Sequence, residues 1–191
     1  PEDILVPDID IQPLTQLSAE DFKRIAVGYT STEMYSPVRP ESDSQIVFTL
    51  ERVKRSEPYV KQWPFTEANY ATCISHLAQG VSVGASIDGT LVGIAVAEVR
   101  EWDESINLWE FHVAETHHRQ GVGRSLIHGL VDRARAKGLR QIVCEAQSTN
   151  TPVIDFYRHL GFKMEGIDLT LYAHDENCQE EFAVFMKLIV D

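Results

Sequence analysis

Apolar and polar positions alternate and recur along the chain in a way that reads as strands interspersed with helices. Pro1 to Gln16 carries Pro1, Pro7 and Pro13 among alternating Ile and Leu, an arm that either lies on the domain or is partly disordered. Ser18, followed by Ala-Glu-Asp, can cap a helix to about Gly28 with Phe22, Ile25 and Ala26 on its inner face. Ser36 to Ser44, rich in Pro and Ser, predicts a loop, and Gln45–Val53 a first strand. A second loop holds Pro58 and Pro64, and Thr66 then caps a helix to about Gln79. Val81–Ile87 and Thr90–Arg100 flank Asp88-Gly89, the dipeptide suited to a type I′ hairpin turn. Ile106–Val113 is a further strand, and Gly121–Lys137 an amphipathic helix stopped by Gly138. Gln141–Ala146 is a buried strand, Pro152–Leu160 a short helix with Pro early, and Phe162–Glu165 and Glu181–Val190 the closing strands. The sum is a mixed α/β sheet without repeats.

Composition narrows the partners. The 191 residues, 43% hydrophobic and 24% charged, suit one soluble domain. Seventeen Lys and Arg against 29 Asp and Glu leave a net charge of −12. That balance argues against nucleic acid and against anionic membrane, both of which are bound mainly through Lys and Arg. It suits a cationic small molecule or basic peptide, although an acidic isoelectric point is also commonplace. Cys73, Cys144 and Cys178 form no CxxC pair and take no metal-ligand spacing with the seven His, so unpaired thiols and no metal are expected. No window reaches 18 consecutive apolar residues, and the N-terminus lacks the pattern of a secretory signal, so a cytoplasmic location is the expectation.

The chemistry concentrates after Trp109. A strand runs into Glu115-Thr-His-His-Arg-Gln-Gly121-Val-Gly123-Arg and then into a helix. Backbone N–H groups of Arg119 to Arg124 would converge on the positive end of that helix, an arrangement matched to a pyrophosphate. Glycines at helix starts also serve packing alone. A second segment, Asn150-Thr-Pro-Val-Ile-Asp-Phe-Tyr157-Arg-His-Leu-Gly161-Phe162, follows the next strand. Together, in this order, the two segments resemble the acetyl-CoA signature of the GNAT superfamily of N-acetyltransferases.

The resemblance implies a GNAT fold: a twisted mixed sheet of six to seven strands flanked by helices, the domain spanning 17–191. Val113 would end the strand whose splayed backbone binds pantetheine. His118 stands where the family usually has Arg or Gln, followed by Arg119, Gln120, Gly121, Val122, Gly123 and Arg124 as the pyrophosphate loop. Asn150 would contact the pantetheine amides, and Tyr157 would protonate the leaving thiolate. Capping, core packing and a solvated surface are the plainer roles for Asn150, Tyr157 and Arg124. Acetyl transfer also needs a deprotonated amine, and Glu110 and His112 alternate onto one strand face about 7 Å apart, as a base pair or as ordinary solvent-facing residues.

Leu50-Glu-Arg-Val53, Trp102-Asp103, Gly166-Ile-Asp168-Leu-Thr-Leu-Tyr172 and Glu181-Phe-Ala-Val-Phe-Met186 carry the likeness further, to streptothricin (nourseothricin) acetyltransferases. This implies transfer in a ternary complex to an amine of a cationic antibiotic, with acetyl-CoA as donor. A protein or polyamine N-acetyltransferase and a CoA-binding module without turnover are the alternatives. Trp102, Asp103, Asp168, Tyr172 and Glu181 are the substrate-binding candidates, each equally readable as a surface charge or rim aromatic. The family's habits leave a monomer or a homodimer.

Overall fold

The computed structural model describes residues 8–172 and 181–190. In chain order the elements are β1 (Asp10–Pro13), α1 (Ala19–Ile25), β2 (Gly28–Val38), β3 (Glu41–Ser42), β4 (Gln45–Ile46), β5 (Thr49–Gln62) and α2 (Glu67–Leu77). There follow β6 (Val83–Ile87), β7 (Thr90–Arg100), β8 (Ser105–Val113), α3 (Val122–Ala136), β9 (Gln141–Gln147), α4 (Thr151–His159), β10 (Lys163–Asp168) and β11 (Ala183–Ile189). Seven strands form one mixed sheet in the order β1-β6-β7-β8-β9-β11-β10, while β2 and β5, and β3 and β4, make separate pairs. The described residues divide into two compact units.

The first unit takes the described parts of Pro1–Val27, Trp63–Cys144 and Lys187–Asp191. Its helices start where local chemistry dictates. Ser18 accepts from the Asp21 N–H and Thr66 from the Asn69 N–H, each satisfying a donor that the first helical turn leaves unpaired. Asp88 (φ 50°) and Gly89 (φ 75°) both sit in the left-handed region, the geometry of a type I′ turn, and join β6 to β7. Within the stretch expected as an arm, β1 pairs antiparallel with β6 through Asp10–Pro13, and Leu14 and Leu17 are buried. On one face of β7, Ile94 and Val96 pack with Leu14, Leu17, Phe22, Ile25, Cys73 and Leu77. α3 packs on β6, β7 and β8, and buries Val122, Leu126, Ile127, Leu130 and Ala134 along one stripe.

The second unit is Gly28–Gln62 with the described part of Glu145–Met186. Here the expected loops need correction. Ser36–Val38 is strand, closing β2, and β5 runs through Pro58 rather than ending at Val53; the expected first strand over Gln45–Val53 is split between β4 and β5. β2 and β5 pair antiparallel from Gly28↔Gln62 to Val38↔Thr49. In a two-stranded ribbon both strands are edges, where a residue without an N–H is tolerated. Pro58 also falls in the irregular stretch where Ser31↔Tyr59 gives way to Glu33↔Lys54, so no ladder bond is lost there. α4 packs on β2, and the Ser31 and Thr151 hydroxyls bond at 2.8 Å.

Candidate active site

β7 and β8 pair along their length, except that Trp109 is an extra residue on β8: Leu108 faces Ala97 and Glu110 faces Val96. A bulge of this kind re-aims every side chain after it. It turns Glu110 and His112 onto the face of Val96 and Ile94, their register partners, rather than that of Leu108. The two side chains meet, with His112 Nε2 2.6 Å from Glu110 Oε2. The rings of Phe22 and His112 stand nearly perpendicular, 6.5 Å between centroids. Cys73 lies near enough to feel the Glu110 carboxylate, and burial together with that charge pushes its thiol up to about 12. Trp109 itself stacks on His76 at 4.9 Å and remains half exposed.

The parallel register of β8 with β9 covers Ser105–Leu108 and Gln141–Cys144. After Val113 the chain makes one turn of 3-10 helix, Glu115–His117, and reaches the segment expected to hold pyrophosphate. His118 Nε2 donates to the Val113 carbonyl at 2.9 Å and Gln120 Nε2 to the Thr116 carbonyl at 3.0 Å, clipping the turn to the strand end. Arg119 (φ 61°) and Gly121 (φ 91°) are both left-handed. Left-handed residues in such a turn point successive N–H groups into one concavity. Gly121 is the residue before α3, no side chain caps that start, and the first intrahelical donor is Ser125. The N–H groups of Val122, Gly123 and Arg124 are therefore directed out of a 15-residue helix at its positive end. The side chains of Arg119 and Arg124 are exposed beside them.

Trp102 and Asp103 lie on the turn between β7 and β8. Asp103 is engaged within it: Arg100 donates to one carboxylate oxygen at 2.9 Å and Ser105 to the other at 2.6 Å. Trp102 is 82% exposed, with the Arg100 guanidinium 5.4 Å from its ring centroid.

In the second unit Asn150 caps α4, its side chain accepting from the Val153 N–H at 3.3 Å. Tyr157 is buried on α4, its ring 5.0 Å from that of Phe162. Asp168 ends β10 and accepts from the N–H and hydroxyl of Thr170, a local turn. Glu181 is buried in a polar group that sequence reasoning saw only in part. Lys61 Nζ and Thr149 Oγ1 each bond it at 2.6 Å, and the Tyr29 hydroxyl lies 2.6 Å from Thr149 Oγ1. The Tyr172 hydroxyl donates to Glu145. Glu145 had a signal, as the one charged position within the otherwise apolar run Ile142–Ala146. Lys61 had none, lying in a stretch expected to be loop. Of the thiols, Cys73 and Cys144 are buried, and Cys178 lies outside the described residues. Among the described residues no helix is long and apolar enough to cross a membrane.

Known proteins resemble the chain in sequence and in fold. The profile of the acetyltransferase (GNAT) family matches residues 46–162. The streptothricin acetyltransferase of Streptomyces lavendulae is 33% identical over 108 residues, 56% of either chain, so the match spans about half that relative's length. The ribosomal protein bS18-alanine N-acetyltransferase of Escherichia coli K12 is 29% identical over 101 residues, 53% of this chain and 66% of that one. The crystal structure of nourseothricin acetyltransferase superposes with a TM-score of 0.75 at 23% identity, covering 96% of this chain and 99% of the other. A structure from Bacillus anthracis str. Ames, described as a streptothricin acetyltransferase in complex with acetyl coenzyme A, gives 0.71 at 19% identity, covering 95% and 99%. At such identities the two structures speak for the fold. The family match covers more than half of the chain, and the chain belongs to the acetyltransferase (GNAT) family, whose enzymes draw the acetyl group from acetyl-CoA.

Proposed function

We propose that the protein transfers the acetyl group of acetyl-CoA to a primary amine of a cationic small molecule of the streptothricin type. The observation that carries this reading is the uncapped start of α3 behind two left-handed residues, with N–H donors and two exposed arginines where a pyrophosphate would be held. The donor fits that cradle: Arg119 to Arg124 would take the pyrophosphate, main-chain groups of Trp109–Val113 beyond the register with β9 would pair with pantetheine, and Asn150 would meet its amides. Acetyl-CoA supplies an activated thioester.

The chain's own residues have to manage protons. A lysine-type amine has a pKa near 10.4, so only about one in a thousand molecules is a nucleophile near neutral pH. Glu110 and His112, already hydrogen-bonded, would accept the amine's proton, the carboxylate steadying the imidazolium. An N–H near Val113 would face the developing oxyanion, and Tyr157 would give its proton to the departing sulfur. The net charge of −12 supports a cationic acceptor, since it draws cations by long-range attraction. So does the name of the Streptomyces relative.

The test is to incubate protein, acetyl-CoA and streptothricin and follow free thiol, with spermidine and a basic peptide as parallel acceptors. Thiol release and an acetylated streptothricin are expected, and Tyr157→Phe should lower kcat. Turnover only with spermidine or the peptide overturns the substrate class. Release with none of the three, at high protein concentration, overturns the enzyme reading in favour of a CoA-binding module.

A further inference from the structure

The second unit holds a polar cluster, buried at Thr149 and Glu181 and open to solvent at Glu145, whose wiring goes beyond a general attraction for cations. Tyr29, Lys61 and Glu145 come from β2, β5 and β9, while Thr149 follows β9, Tyr172 follows β10 and Glu181 precedes β11, and the hydrogen bonds divide the six groups into two halves. In one half Glu181, its side chain 3% exposed, takes Lys61 Nζ and Thr149 Oγ1 at 2.6 Å each and the Tyr29 hydroxyl at 3.4 Å. In the other half Glu145 takes the Tyr172 hydroxyl. Lys61 Nζ lies 6.0 Å from the centroid of the Tyr172 ring. Of these six side chains two are carboxylates and one is a cation, which leaves one negative charge over.

The surplus sits on Glu145. Glu181 has a lysine ammonium in direct contact, whereas the group bonded to Glu145 is a neutral phenol. Packed protein around the Glu145 carboxylate raises its pKa above the usual range and Glu181 adds to the rise, with Tyr172 and Lys61 opposing it. Burial holds the Tyr29 and Tyr172 phenols well above their ordinary range, so both stay protonated donors. Part of Glu145 is open to solvent. A primary ammonium is already held in the other half of the cluster, beside a carboxylate and near the face of a tyrosine, the two surroundings that such a group prefers.

We propose that Lys61 is a specificity-determining residue: its ammonium fills one half of a two-carboxylate site, and Glu145 with Tyr172 forms the other half, which takes one further primary ammonium of the acceptor. This rests on the reading that the acceptor is a cationic amine, and it goes further by setting how many charges the cluster admits. With Lys61 in place the cluster takes one. Without it, the Glu181 half opens to a second.

Calorimetry on the full chain, with streptothricin and spermidine as multiply charged probes and propylamine as a singly charged one, tests this apart from turnover. Glu145→Gln should weaken both multiply charged probes about tenfold, the scale of one hydrogen-bonded charge contact. Lys61→Met should do the reverse, tightening spermidine about tenfold and lowering its KM, while propylamine gains much less. Opposite signs are the decisive feature, since loss of structure would weaken binding in both variants. Glu145→Gln alters an isosteric, partly exposed side chain and carries the test alone if Lys61→Met does not fold. Unchanged binding in Glu145→Gln overturns the proposal, as does weaker binding in a folded Lys61→Met. Probes that bind with these signs but are not acetylated uphold it and overturn the acetyl-acceptor reading; acetylation with Glu145→Gln binding like wild type does the opposite. Failure of all the probes to bind wild type overturns it outright.

Discussion

Gly93 sits on β7 beneath the first turn of α3. A Gly93→Ala substitution would put a methyl group 2.9 Å from Val122 Cγ1, 3.0 Å from Leu126 Cδ1 and 3.3 Å from the His112 carbonyl oxygen. Val122 and Leu126 are 1% and 0% exposed, so neither can swing into solvent, and the carbonyl belongs to a paired strand. Overpacking of this sort costs about 1–3 kcal/mol. A domain of this size loses about 2–4 °C of Tm per kcal/mol, so thermal denaturation should show a fall of roughly 2–12 °C. The helix is the part free to yield. Val122 is its first residue, so lifting it moves the N–H groups assigned to the pyrophosphate. Affinity for CoA should fall, while affinity for pantetheine, which lacks the pyrophosphate, should hold. Gly129→Ala is the internal control. Its methyl group would come 2.8 Å from Ile11 Cγ2 and stand at ordinary contact, 3.6 Å, from both Val83 γ-carbons, a single overlap two turns along α3 against β1 and β6. With one overlap, and with the gain of about 1 kcal/mol from replacing a glycine inside a helix, it should cost less stability and leave the CoA to pantetheine ratio unchanged. If the two variants shift that ratio alike, or if Gly93→Ala melts like wild type, the coupling of helix seating to coenzyme binding is wrong.

Two further outcomes follow from the first unit. Glu110→Gln removes the carboxylate bonded to His112, so kcat should fall about 10²-fold and the rise of rate with pH should flatten; an unchanged profile moves the base elsewhere or to water. Cys73, pushed up to about 12, is almost wholly a protonated, buried thiol at pH 8, so an alkylating reagent should leave it and Cys144 unmodified until denaturant is added. Peptide mass mapping reads both sites, and labelling of Cys73 in the native protein would contradict the assigned environment.

Much of the fold is legible residue by residue because the forces that begin and end elements act over a few positions. Ser18, Thr66 and Asn150 each cap a donor three residues on, Asp88-Gly89 carries its own turn, and the apolar stripe of α3 follows from its period. The turn from His118 to Arg124 is equally local, which is why it could be read directly. Ser36–Val38 and Pro58 look like loop in the sequence, because their strand state depends on pairing between β2 and β5, and proline is excluded only where a strand lacks a free edge. Side-chain roles depended still more on distant neighbours. Asp103 stood among the substrate candidates as an acid beside a tryptophan, yet folding binds its two oxygens to Arg100 and Ser105. Lys61 and Glu181 are 120 residues apart, and nothing near either in sequence announces the other. The sequence by itself determined the caps, turns, stripes and glycine loop, since those depend on dihedrals and bonds within one turn of chain. Which partners each carboxylate meets, Lys61 at Glu181 and Tyr172 at Glu145, was decided only by the tertiary structure, because those neighbours arrive from distant strands and loops.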